Sequence, residues 1–293
     1  MAAPKITESY IADKLDELPP LPAIVYELSQ IINNPMSSTK DVEKVMSKDI
    51  GMTTKVLRLA NSAYYAIPGG VSSLSRAIAY LGYDTVHQLV LSSSIMEALD
   101  VDGADSFDIH KFWRHCVGVG IAAETIAKAT NHPLPSDMFT CGLVHDMGKV
   151  ALFTIAPGLL SQIIEQASTA DTSYFSAEKD LDIPGHCEIG NLLAVKWRLP
   201  TQIQAVIKFH HEEEPTKRGN ISSDLNKAVD IVFLANKIIH ALKFGFSGYE
   251  KVLPTPKSIN SRLALTPPQF KDILKNIKSS LDDAEEFIKA IGG

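Results

Sequence analysis

Apolar residues recur at intervals of three and four along almost the whole chain, and no stretch of useful length alternates apolar with polar. A period near 3.6 lines apolar side chains along one stripe of a helix, whereas a half-buried strand needs a period of two. The chain is therefore expected to be all-α. After Leu18-Pro-Pro-Leu-Pro22, the residues Ile24, Val25, Leu28, Ile31 and Ile32 follow the amphipathic pattern. Ser38-Thr39-Lys-Asp41 reads as the N-terminal cap of the next helix. Further helices are expected over 50–63, 72–81 (stopping at Gly82), 84–99, 107–130, 136–146, 147–155, 157–168, 173–180, 185–198, 200–211 and 224–244. A short one falls within 254–265, and a single last helix covers 267–291. The polar stretch from Asp100 to Ser106 is the best internal boundary. It suggests an N-terminal helical half (1–100), a second half carrying the site (101–217) and a helical extension (218–293) packed on that second half.

Several helical stripes end in histidine or aspartate. Phe112, His115, Val119, Ala122 and Ile126 lie on one face, so His115 points with the core residues. Ile203, Val206, Ile207, His210 and His211 share another face, and Phe139, Leu143, Asp146 and Met147 run into the pair His145-Asp146. His186 lies on a further helical segment. A lone inward histidine is most simply a satisfied core residue. Several of them with an inward aspartate would each need a separate buried partner, a demand that one shared metal meets. Imidazole and carboxylate donors suit Fe, Mn, Zn or Co, as a mononuclear or binuclear centre. Two ions about 3.5–4 Å apart would be the hydrolytic arrangement. Lys149, one turn past Asp146, is then a candidate catalytic group whose ammonium could meet a phosphate oxygen; the plain alternative is a surface lysine. His87, His110, His132 and His240 fall outside the set, the first as a packing residue and the others as surface or cap residues.

Charge and cysteine usage narrow the setting. A formal net charge of -6 disfavours a general nucleic-acid binder. Three cysteines (Cys116, Cys141 and Cys187) without regular spacing give no disulfide framework and fit a reducing compartment. Each reads as a buried structural thiol. MAAPKITESYIADKL has no apolar core of a secretory signal, and no stretch approaches the roughly 20 apolar residues of a membrane span. The expectation is a soluble, cytoplasmic protein.

The stretch from about Leu18 to about Lys217 resembles an HDOD domain, a relative of the HD and HD-GYP phosphohydrolases. In the first half the resemblance rests on Leu18-Pro-Pro-Leu-Pro22, Lys48-Asp49-Ile-Gly51, Lys55-Val-Leu-Arg58-Leu-Ala-Asn61-Ser62-Ala-Tyr64-Tyr65 and Arg76-Ala77-Ile78-Ala-Tyr-Leu81-Gly82. In the second it rests on Phe112-Trp113-Arg114-His115, Gly142-Leu143-Val-His145-Asp146-Met-Gly148, Glu178, His186-Cys-Glu-Ile189-Gly190, Trp197-Arg-Leu199-Pro200 and His210-His211. It implies a helical domain of bacterial signalling, in a family whose members act mainly as interaction or regulatory modules and often lack the metal ligands. Here His115, His145, Asp146, His186, His210 and His211 match the HD-GYP ligand motif residue by residue. The last ligand of that motif, an Asp, would fall on Asn236 of Ala235-Asn236, with Asp230 six positions earlier as a weaker substitute. Glu212-Glu-Glu-Pro215 stands where the Gly-Tyr-Pro element would follow the His pair.

The resulting expectation is a non-catalytic signalling module that keeps a metal site and binds a signalling protein or a small nucleotide-like ligand, with no nucleic acid and no membrane, and with homodimerisation open. The alternatives are a metal-dependent phosphohydrolase or cyclic-dinucleotide phosphodiesterase, and a structural helical domain with vestigial histidines.

Overall fold

The computed structural model describes residues 8–101 and 107–292. Most of the Asp100–Ser106 boundary and the first residues of the N-terminal reading lie outside them. Among the described residues the protein is all-α, without a strand. The first half comprises α1 (Glu8–Leu15), α2 (Ala23–Ile32), α3 (Thr39–Met46), α4 (Ile50–Ala60) and α5 (Leu74–Ala98). The second comprises α6 (Ile109–Ala129), α7 (Pro135–Val144), α8 (Met147–Ile155), α9 (Pro157–Thr169), α10 (Tyr174–Asp180), α11 (His186–Lys196) and α12 (Thr201–Phe209). A 3₁₀ turn at Pro215–Lys217 leads to α13 (Ser223–Ala241), α14 (Lys257–Arg262), α15 (Pro267–Asp282) and α16 (Glu285–Gly292). No helix among the described residues is long and apolar enough to cross a membrane.

Local chemistry sets the element ends. The Asp41 carboxylate accepts from the Ser38 N–H (2.8 Å) and hydroxyl (2.7 Å), and Asp49 accepts from the Met52 N–H at 2.8 Å. The two backbone bonds each satisfy an N–H left over at a helix start. Gly82 sits at φ 84°, ψ 166° and breaks α5 in two, as the sequence suggests. The expected last helix over 267–291 is in fact two helices. The chain turns at Asp283 so that Phe287 can reach back to Phe139 (ring centroids 5.5 Å apart) and Tyr64 (5.6 Å).

One continuous apolar core runs from Ile11 to Ile291. Each fully buried Leu, Ile or Phe within it contributes about 1.5–3 kcal/mol. The extension does more than cover the second half: α15 packs on α6, while α16 lies against α4, α5 and α6. The halves are also tied by Trp197, whose Nε1–H donates to the Pro19 carbonyl at 3.1 Å.

Two glycine crossings position the site. A Cβ on Gly142 would stand 2.7 Å from the Gly120 Cα, so α7 lies backbone to backbone on α6 and brings His145 towards His115. A Cβ on Gly148 would stand 1.9 Å from the His186 carbonyl oxygen, so α8 crosses the start of α11 at contact distance and brings Asp146 to His186.

Candidate metal centre

Six of the expected residues converge from five helices. His115 comes from the middle of α6, His145 from the end of α7, and Asp146 starts α8. His186 opens α11, and His210 and His211 follow α12. His115, His145, Asp146, His186 and His210 are buried. The donor atoms fall into two groups, each within 4.8 Å: His115, His145 and Asp146 in one, and His186, Cys187, His210 and His211 in the other.

Hydrogen bonds fix the ring nitrogens. The Nδ1–H of His145 donates to the Gly142 carbonyl at 2.7 Å, and that of His210 to the Ile207 carbonyl at 3.0 Å. Glu178 holds His186 twice, accepting from its Nδ1–H at 2.8 Å and its backbone N–H at 2.7 Å. With Nδ1 committed as donor, the neutral form of each ring turns an Nε2 lone pair inward. In that neutral form those lone pairs would meet a carboxylate. Asp146 Oδ1 is 3.1 Å from His186 Nε2 and 3.4 Å from His210 Nε2, and Oδ2 is 3.3 Å from His145 Nε2. His186 and His210 face each other at 3.3 Å through Nε2. Acceptors packed this closely repel unless a proton or a metal cation lies among them. Among the described residues, Nε2 of His145, Nε2 of His211 and Oδ1 of Asp146 have no aligned hydrogen-bond partner. The donor set therefore fits a transition ion, with Asp146 placed between the two groups.

Titration behaviour follows the same geometry. Burial works against ionising Asp146, but the His145 and Lys149 charges outweigh it and hold the carboxyl well below its usual range. Burial lowers His210, yet the Cys187 and Asp146 charges prevail and push it up to about 9. His115 is driven well down by burial and by the neighbouring His240 and His145.

Lys149 is brought to the centre but turned inward. Its ammonium donates to Asp146 Oδ2 at 2.6 Å and to the Ser247 carbonyl at 2.9 Å, and sits 4.5 Å from the centre of the Tyr174 ring. Neither lysine nor aspartate is more than 1% exposed. Asn236 does reach the site, where its Oδ1 lies 3.1 Å from His115 Nε2. The amide thus stands near the candidate ligands and lies within hydrogen-bond distance of one of them. Asp230 is not brought there: its oxygens accept from Arg218 at 2.6 Å and Arg262 at 2.6 Å, an ion cluster that occupies both.

Two further residues belong to the centre. His240, expected at the surface, is buried with its ring 4.6 Å from that of His115 and 4.1 Å from Tyr249. Burial pushes it down to about 3, so it stays neutral. Its position one turn past Asn236 was the available signal. Glu178 precedes His186 by eight residues and orients it across a turn, a relation without helical periodicity.

A cleft of about 280 Å³ opens beside the second group, lined in part by Phe175, Lys179, Cys187, Lys208, His211 and Lys217. Phe175 stacks on His211 with centroids 4.6 Å apart and planes at 19°.

The HDOD domain family model matches residues 18–213. An uncharacterized protein of Treponema pallidum (strain Nichols) is 26% identical over 274 residues, covering 93% of this chain and 51% of its own length. The chain thus spans about half the length of that curated relative. The crystal structure of an HDOD domain protein with unknown function from Geobacter sulfurreducens is similar in fold, with TM-score 0.73, 24% identity and 96% of each chain covered. A candidate phosphohydrolase from Shewanella amazonensis SB2B gives TM-score 0.70 at 26% identity over 97% of each chain.

Proposed function

The chain belongs to the HDOD domain family, and from that premise we propose that it is a non-catalytic signal-transduction module that retains an HD-type metal centre and acts by binding a signalling protein or a small nucleotide-like ligand. The observation that carries this reading is the buried Lys149–Asp146 pair. A lysine that assisted phosphoryl chemistry would have to reach a phosphate oxygen, and this one is spent on Asp146 and Ser247, beneath Tyr174. Asn236 supports the same reading, because an amide adds no negative charge to offset a second cation. His115, His145 and Asp146 in one group, and His186, His210 and His211 in the other, could hold one or two transition ions, which would supply Lewis acidity and a cross-link between helices. Glu178, Gly142 and Ile207 orient the rings towards it.

The cleft beside His211 favours a second reading, a metal-dependent phosphohydrolase, since it opens next to the second donor group and carries Lys179, Lys208 and Lys217 alongside Glu178, Glu188 and Glu212. Metal-replete, anaerobically purified protein tested against cyclic dinucleotides, nucleotides and simple phosphate esters separates the two. The proposal expects a stoichiometric transition metal and no turnover above the Asp146→Ala variant. Metal-dependent turnover abolished by His145→Ala and Asp146→Ala would establish the enzyme reading instead, and absence of metal would leave the histidines as structural residues.

A further inference from the structure

We propose that Cys187 is a metal ligand, its thiolate joining His186, His210 and His211 to make the cleft-facing end of the centre a sulfur–nitrogen half-site selective for zinc-like ions. The inference rests on the metal reading above and narrows it.

Two separations in the group match the edges of a coordination polyhedron. Bonds of about 2.0–2.1 Å to imidazole and about 2.3 Å to thiolate require, around a tetrahedral ion, edges of roughly 3.3–3.4 Å between two nitrogens and roughly 3.5–3.6 Å between nitrogen and sulfur. The observed separations are 3.3 Å for His186 Nε2 to His210 Nε2 and 3.5 Å for His186 Nε2 to Cys187 Sγ. The sulfur also packs against the His210 ring, 3.9 Å from Nδ1, the nitrogen that donates to the Ile207 carbonyl and leaves Nε2 for the ion. All four residues place a donor within 4.8 Å of the others. Nε2 of His211 is buried without a hydrogen-bond partner among the described residues, and Phe175 holds that ring by stacking.

The other two cysteines show what a structural thiol looks like in this fold. Cys116 and Cys141 are enclosed in apolar helix packing, with the Gln202 amide 3.8 Å from the Cys141 sulfur. Cys187 instead faces two imidazoles and forms part of the cleft wall. Binding forms the sulfur–metal bond as the thiol proton leaves to solvent. A thiolate favours zinc, cobalt or iron over manganese or magnesium, whose preferred donors are oxygens.

Cobalt(II) substitution of the full chain tests this directly. The expected result is one bound cobalt with a sulfur-to-cobalt charge-transfer band in the near ultraviolet. Cys187→Ser should remove that band, keep visible ligand-field bands and weaken zinc binding by about tenfold or more. Should the variant fold poorly, X-ray absorption on zinc-loaded wild-type protein is expected to show a sulfur neighbour at about 2.3 Å. Cobalt bound without a charge-transfer band, or zinc without a sulfur neighbour, would overturn the assignment of Cys187 while leaving the histidine–aspartate site standing. No bound metal at all would remove both.

Discussion

The ammonium of Lys149 lies 2.6 Å from Oδ2 of Asp146, and the two are sealed together at the middle of the centre. The lysine balances the carboxylate on one side, while His186 and His210 face the other oxygen. Lys149→Met leaves that carboxylate buried without its cation. Breaking such a pair costs about 3–5 kcal/mol. A bound ion would itself offset the Asp146 charge, so the loss should be large in chelator and smaller in metal-replete buffer. Denaturant unfolding in the two conditions measures the difference; an equal loss in both would show that no ion shares Asp146.

Glu178 holds His186 by two hydrogen bonds without standing among the ligands. Glu178→Ala should lower metal affinity by about 10–100-fold, the usual effect of removing a group that orients a ligand. The helical content should stay near that of the wild type. Competition titration with a chromophoric chelator reads the affinity, and an unchanged value would mean that the α10–α11 turn fixes His186 alone.

Asp230 belongs to a different network. Arg218 is fully buried and depends on it for charge balance, with Arg262 closing the cluster from α14. Asp230→Asn is expected to destabilise the fold by about 3–5 kcal/mol, since it strands a buried guanidinium. Metal content per folded molecule should not change. A drop in metal stoichiometry at full folding would restore Asp230 to the ligand set.

Most of this centre could be read from periodicity because periodicity reports which face of a helix is buried. His115, His210 and Asp146 lie on apolar stripes, and those stripes do point at one another. The stripes say nothing about what a buried polar atom bonds to. Spacing alone therefore allows Lys149 either a phosphate contact or a surface position, whereas the structure gives it an internal partner in a loop 98 residues away, at Ser247. His240 was legible in principle, one turn beyond Asn236 on the same helix. Glu178, by contrast, acts across a turn, where spacing carries no facing information. The α15–α16 break escaped detection because apolar spacing continues through Asp282-Asp283-Ala284, and only packing against Tyr64 and Phe139 requires the bend.

Asp137 gives the fold a pH-dependent element away from the candidate metal centre. Burial and the nearby Asp84 charge raise its carboxyl to about 6, although Gln88 donates to it at 2.8 Å. A raised acid favours the folded state while protonated, so this contribution is complete below the unfolded value of about 3.9 and is lost as pH rises through about 6. Asp137→Asn should therefore be more stable than wild type at pH 7 and converge with it near pH 4. Thermal unfolding across that range checks the sign, and a gap that widens on acidification would refute it.

Gly148→Ala tests the crossing that brings Asp146 to His186. The added methyl would meet the His186 carbonyl and the Gly190 N–H, both backbone groups that cannot swing aside. A loss of at least the 1–3 kcal/mol typical of overpacking is expected, roughly, with metal content falling alongside stability. Normal metal uptake in a stable variant would mean that α8 and α11 can separate without opening the site.

The central claim is that this centre binds a metal without using it for turnover. Phosphate release by wild-type protein of measured metal content, compared with Asp146→Ala across cyclic dinucleotide and simple phosphoester substrates, tests it most directly. The account predicts at least one transition ion per chain and the same background release from both proteins. Release that requires both the metal and Asp146 would contradict it.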